Sequence, residues 1–157
     1  MREIVGKPSG AGVRIAIVVA RFNRSVTESL LDGALEGLRA HGVADDAVDV
    51  LRVPGAFEIT VAAEHCAASG RYAAIVCLGA VVRGETPHFE FISREVSRGV
   101  NDVACRHRIP VAFGVLTTDN MEQALARAGE GHGNKGYEAA VTALEMAALL
   151  REHARLG

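Results

Sequence analysis

The sequence predicts an α/β fold: a flavodoxin-like three-layer sandwich with a four-stranded parallel sheet and helices on both faces. Three observations lead there. Short apolar runs alternate with longer segments of helical periodicity, in the order βαβαβαβαα, and strands alternating with helices imply parallel pairing through right-handed crossovers. The runs are apolar at consecutive positions, as in strands covered on both faces. Four strands are also too few to close a barrel.

The 157 residues fit a single domain over 1–157, large enough to hold a core without staples. Residues 1–12 read as an N-terminal arm, with the apolar pair Ile4-Val5 and a flexible glycine-rich linker. Residues 14–20 read as the first strand. A helix follows over 25–41, with Ser25 and Glu28 spaced as a capping box and Gly42 as its stop. The second strand, 48–53, is broken by Pro54-Gly55. A helix over 58–69 ends at Gly70, and the third strand, 73–82, is apolar apart from Gly79. Residues 87–107 form a long helix with Phe89, Ile92, Val96, Val100 and Val103 at helical spacing. The fourth strand is 110–116. Asp119 and Glu122 open a helix over 119–128, and an Ala- and Leu-rich helix runs from 134 to about 155.

Composition narrows the function. Hydrophobic residues make up 49% and the net charge is −2, an ordinary globular balance that gives no reason to expect a nucleic-acid or membrane partner. No stretch approaches the roughly 20 apolar residues of a membrane span, and the N-terminus has no signal-like apolar region, so a cytoplasmic protein is expected. Cys66, Cys77 and Cys105 are odd in number and lack CxxC spacing, which predicts buried free thiols in a reducing compartment. There is no dinucleotide fingerprint, P-loop, HExxH or nucleophile elbow, so no cofactor and no metal are expected.

In an open parallel sheet, ligands bind outside the carboxyl ends of the strands. Those exits read Arg21-Phe22-Asn23, Pro54-Gly55-Ala56-Phe57-Glu58, Arg83-Gly84-Glu85-Thr86-Pro87-His88 and Thr117-Thr118-Asp119-Asn120. Two place a phenylalanine beside polar groups, which suits stacking on a flat heterocycle and hydrogen-bonding a polyol. At the third, Gly84 permits close backbone approach, Thr86 reads as an N-cap and Pro87 as the first helical residue. A helix start of this kind offers N–H groups to a phosphate, and His88 would sit beside the anion as a proton carrier. The alternative is a capped helix with a solvent-facing histidine. Arg127, in the last turn of its helix, suits either the helix dipole or a phosphate. Lys135, at a helix start, opposes the dipole, and an anionic ligand would account for it.

These segments resemble the lumazine synthase family. The resemblance rests on Ala20-Arg21-Phe22-Asn23, Pro54-Gly55-Ala56-Phe57-Glu58, Gly79-Ala80-Val81-Val82-Arg83-Gly84-Glu85-Thr86-Pro87-His88-Phe89, Phe113-Gly114-Val115-Leu116-Thr117-Thr118-Asp119-Asn120, and Gln123-Ala124 through Arg127-Ala128-Gly129 to Asn134-Lys135-Gly136. It covers nearly all of the chain from Arg14 onward. It implies condensation of 5-amino-6-(D-ribitylamino)uracil with 3,4-dihydroxy-2-butanone 4-phosphate, without a cofactor. By the same resemblance, Phe22 stacks on the pyrimidine and Asn23 is a substrate-binding residue. Ala56, Phe57 and Glu58 hold the ribityl chain. Val81 and Val82 offer backbone groups. Gly84, Glu85 (through its N–H) and Thr86 bind phosphate together with Arg127, and His88 transfers protons. Phe113 and Arg127 come from a neighbouring subunit, and Lys135 lies near the same site. The resemblance further implies a homopentamer, an icosahedral shell of pentamers, and riboflavin synthase as a candidate partner. Ile4-Val5 resembles a strand that pairs with a neighbour's sheet edge. A weakly catalytic flavin- or lumazine-binding relative, and a flavin-dependent electron-transfer module, are the alternatives.

Overall fold

Six consecutive apolar residues form β1 (Ile15–Ala20), and all are buried. The computed structural model describes residues 1–157 apart from the side chain of His132. After β1 come α1 (Arg24–Ala40), β2 (Val48–Val53), α2 (Ile59–Ala68), β3 (Ala74–Val82), α3 (His88–His107), β4 (Val111–Thr118), α4 (Met121–Ala126) and α5 (Lys135–Arg155). The strands lie in the order β2-β1-β3-β4 and every pair is parallel. The α/β sandwich expected from the sequence is therefore the observed one.

The period-2 alternation of a strand divides the core in two. Ile15, Ile17 and Val19 face α1 and α5, packing with Leu30, Ala34, Leu38, Ala140 and Leu144. Ala16, Val18 and Ala20 face α2 and α3, packing with Ile59, Ala63, Val96, Val100 and Val103. Small residues bring α1 and α5 close together: a Cβ at Gly136 would run into the Leu30 carbonyl oxygen.

Asn134 fixes that junction and is buried. Its Oδ1 accepts from Gly136 N–H at 2.7 Å and Tyr137 N–H at 3.1 Å, capping α5. Its Nδ2 donates to the Ser29 carbonyl at 2.9 Å and the Ala128 carbonyl at 3.2 Å. Asn134→Ala removes the cap and leaves buried backbone groups unpaired. We expect it to lower stability by about 2–4 kcal/mol in urea unfolding. A loss below about 0.5 kcal/mol would mean that packing alone holds the helix start.

The other helix starts differ from the spacing-based expectation. The Ser25–Glu28 capping box does not form. Asn23 is the N-cap, left-handed at φ 58°, with no side-chain cap bond. Its amide instead donates to the Ala80 carbonyl at 2.8 Å, while Glu28 pairs with Arg52 of β2. Asparagine tolerates this conformation better than most residues, and it turns the chain sharply from β1 into α1. At α3, Pro87 is the cap residue and Thr86 makes no cap bond; the Pro87 carbonyl accepts from Glu90 N–H at 3.0 Å. At α4 the cap is Asn120, which accepts from Gln123 N–H at 2.9 Å, so Asp119 is not the cap. β4 runs on to Thr118, opposite Val82, beyond the apolar run because ladder pairing does not need apolar side chains.

The N-terminal arm forms no strand. Gly6 lies against α5 at Glu145 and Leu149. The glycine-rich stretch is anchored where Gly10 N–H donates to the His41 carbonyl at 2.8 Å.

Candidate active site

β1 leads to β2 on one side of it, and β3 lies on the other, so the chain's direction of winding reverses between β1 and β3. A crevice opens at such a switch point. Here it is a cleft of about 570 Å³. Phe22 and Asn23 enter it from the exit of β1. Ala56, Phe57 and Glu58 enter from a short 3₁₀ turn after β2. Val81, Val82, Gly84, Thr86 and His88 enter from the end of β3 and the start of α3.

The geometry of this cleft suits a flat ligand with a polar chain. Phe22 and Phe57 are 71% and 58% exposed, two rings held in water at the cleft. The Glu58 carboxylate accepts no hydrogen bond among the described residues, which leaves it open to hydroxyl donors. Gly84 is more informative. It has neither a positive φ nor any atom within 4 Å of a Cβ placed on it. Nothing within the fold therefore requires glycine at this position, and its bare backbone is open to the cleft. His88 is exposed, opens α3, and has no hydrogen-bond partner among the described residues.

Phe113, Arg127 and Lys135 lie elsewhere. They line a second cleft of about 350 Å³ between edge strand β4 and α5, and no residue is common to both clefts. Phe113 faces outward from β4 between buried Ala112 and Gly114. Arg127 donates to the Gln123 carbonyl at 3.0 Å, the helix-terminal contact open to it from sequence. Lys135 Nζ lies 2.7 Å from Glu138 Oε2, so a carboxylate already answers its charge. Glu85 lines neither cleft and is exposed.

Sequence reasoning missed Phe89 and Ile92, which line the first cleft. The signal was present: Ile92 is four residues after His88, on the same helix face. It also missed Arg83, whose Nε donates to Asp119 Oδ1 at 2.9 Å and whose Nη1 donates to Glu90 Oε1 at 3.2 Å. These carboxylates, Asp119 foremost, hold its guanidinium above the usual arginine range.

Cys66 and Cys77 are buried as expected, whereas Cys105, on α3, is exposed. Full burial pushes the Cys77 thiol up to about 12, and burial also raises that of Cys66, which keeps both from becoming thiolates. Among the described residues there is no cluster of metal-ligating side chains, and no helix is long and apolar enough to cross a membrane.

Comparison with known proteins shows the family. The sequence model of the family described as 6,7-dimethyl-8-ribityllumazine synthase matches residues 12–151. Two proteins of that name from Clostridium kluyveri are each 51% identical over 152 residues, covering 97% of this chain and 99% of their own. Since the match takes in all four strands, the first four helices, most of the fifth and every residue of both clefts, the chain belongs to the 6,7-dimethyl-8-ribityllumazine synthase family.

Proposed function

We propose that this chain forms 6,7-dimethyl-8-ribityllumazine in riboflavin biosynthesis, by condensing 5-amino-6-(D-ribitylamino)uracil with 3,4-dihydroxy-2-butanone 4-phosphate and releasing phosphate and water. The observation that carries this reading is the meeting of Phe22, Phe57, Glu58, Gly84 and His88 in one cleft at the switch point.

The family resemblance supplies the role of each residue, and the chemistry fits those roles. Phe22 stacks on the pyrimidine, with Asn23 shaping the turn beneath it. Ala56, Phe57 and Glu58 hold the ribityl chain, with Glu58 accepting from its hydroxyls. Val81 and Val82 offer backbone groups to the ring. Gly84, Glu85 and Thr86 present the loop to the phosphate, Glu85 through its N–H alone. The amine attacks the ketone, and the carbinolamine loses water to give an imine. A proton then leaves carbon, phosphate is eliminated, and ring closure releases a second water. Each step moves protons near neutrality, which suits His88. Loss of phosphate is eased by fixed donors and a cation that hold the anion.

The separation of the two clefts supports a shared site: Phe113, Arg127 and Lys135 of one subunit complete the cleft of the next. A ring of identical head-to-tail contacts closes without a free end, and we read the assembly as a homopentamer. The family resemblance extends this to an icosahedral shell of pentamers, since the link between Arg127 and Lys135 has no insertion of the kind that goes with pentamer-only members. The cytoplasm is the compartment this reading assigns, and riboflavin synthase, acting on the product, is the candidate partner.

The test is to mix purified protein with both substrates, with chelator present, and follow lumazine fluorescence against an enzyme-free control. Catalysed product formation is expected. A rate no faster than the spontaneous one, from folded and assembled protein, would displace this reading in favour of a flavin- or lumazine-binding role.

A further inference from the structure

Arg83 is the first residue beyond β3, and three elements converge on its guanidinium. Its backbone N–H donates to the Thr118 carbonyl at 2.8 Å, closing the β3–β4 ladder. Its Nε donates to Asp119, just past β4, and its Nη1 to Glu90, in the first turn of α3. The guanidinium carbon also lies 4.5 Å from the centre of the Phe89 ring, within reach of a cation–π contact. Phe89 in turn forms part of the cleft wall. Arg83 itself lines neither cleft.

The stretch between Arg83 and Glu90 is the one that needs such a restraint. Residues 83–88 are all exposed, and the side chains of Gly84 to His88 make no hydrogen bond among the described residues. Among the described residues no side chain bonds His88, whose place is set by the start of α3. An arginine fork can hold two carboxylates at set angles, whereas lysine is a point charge that cannot span both. The fork therefore joins the two ends of the loop and ties them to the exit of β4.

We infer that Arg83 is a positioning residue: its two-pronged bridge to Asp119 and Glu90 holds the Gly84–His88 loop in the geometry that proton transfer and phosphate binding require. This inference rests on the function proposed above for the same site. Surface ion pairs contribute little to global stability, so the effect is read in the loop and in turnover, with little change in melting.

The experiment compares the parent, Arg83→Lys, and the double variant Glu90→Gln/Asp119→Asn, all as assembled protein. Amide hydrogen exchange of residues 84–89 is measured without ligand, beside steady-state kinetics. Arg83→Lys is expected to exchange at least about 5-fold faster there and to lose about 10-fold in kcat, with melting lowered by no more than about 3 °C. The double variant is expected to lose kcat as well. If Arg83 served only to neutralise two carboxylates near a phosphate, Arg83→Lys would keep its turnover and the double variant would match the parent or exceed it. That result overturns the inference. So does unchanged exchange in Arg83→Lys, whatever the parent's activity. An inactive parent would instead overturn the proposed function, while the exchange data would still decide whether the fork orders the loop.

Discussion

His88→Ala is expected to slow lumazine formation by about 10²-fold and to leave a rate above the spontaneous one. General acid–base catalysis typically contributes about 10²–10⁴-fold. The low end applies because His88 is exposed, so water can reach the reacting atoms and take over part of the proton traffic. Positioning by Phe22, Phe57 and the Gly84 loop survives the substitution and retains its share of the acceleration. Substrate affinity should change little, because the loss falls on transition-state steps. Added imidazole should restore part of the rate in the variant and leave the parent unaffected. Equal turnover in variant and parent would remove His88 from the mechanism.

Arg127→Ala should act on one substrate. Arg127 has no carboxylate partner among the described residues, unlike Lys135, which has Glu138. One guanidinium donor is engaged by the Gln123 carbonyl, and the remaining N–H groups of the fork are available to a phosphate. Hydrogen bonds to a charged group are worth about 1.5–3 kcal/mol. The KM for the butanone phosphate should therefore rise about 10- to 100-fold, with a change below about 3-fold for the pyrimidine. Steady-state kinetics with each substrate varied in turn measures this. Equal effects on both KM values would mean that Arg127 supports the assembly and does not contact phosphate.

The fold was legible where a single physical rule governed it. The apolar runs of β1 and β3 announced buried strands, and their exits located the cleft, because parallel sheets bind ligands at that end. Asn134 was readable at the start of the last helix, where its Oδ1 caps the helix while its Nδ2 donates to the Ser29 and Ala128 carbonyls. Asn23 was not, because its amide is engaged by Ala80 on another strand, a contact that local spacing does not encode. Ser25 and Glu28 had the spacing of a capping box, yet Arg52 takes the glutamate. Thr117 and Thr118 hid the end of β4 because their strand character comes from pairing with Val81 and Val82. Within the site, periodicity could not separate Phe113, Arg127 and Lys135 from the residues of the first cleft. The family resemblance did so for Phe113 and Arg127, which it assigns to a neighbouring subunit, and the fold sets them with Lys135 in a cleft apart from the first.

The two clefts have no residue in common, and under the proposed assembly this changes how damage is inherited. A chain lacking His88 still offers an intact Arg127 face, and a chain lacking Arg127 still offers an intact His88 cleft. Mixed in one ring, two inactive parents regenerate whole catalytic centres wherever the undamaged halves meet, at about one junction in four for equal random mixing in a head-to-tail assembly. Two defective alleles could thus complement each other, while two lesions in the same half could not.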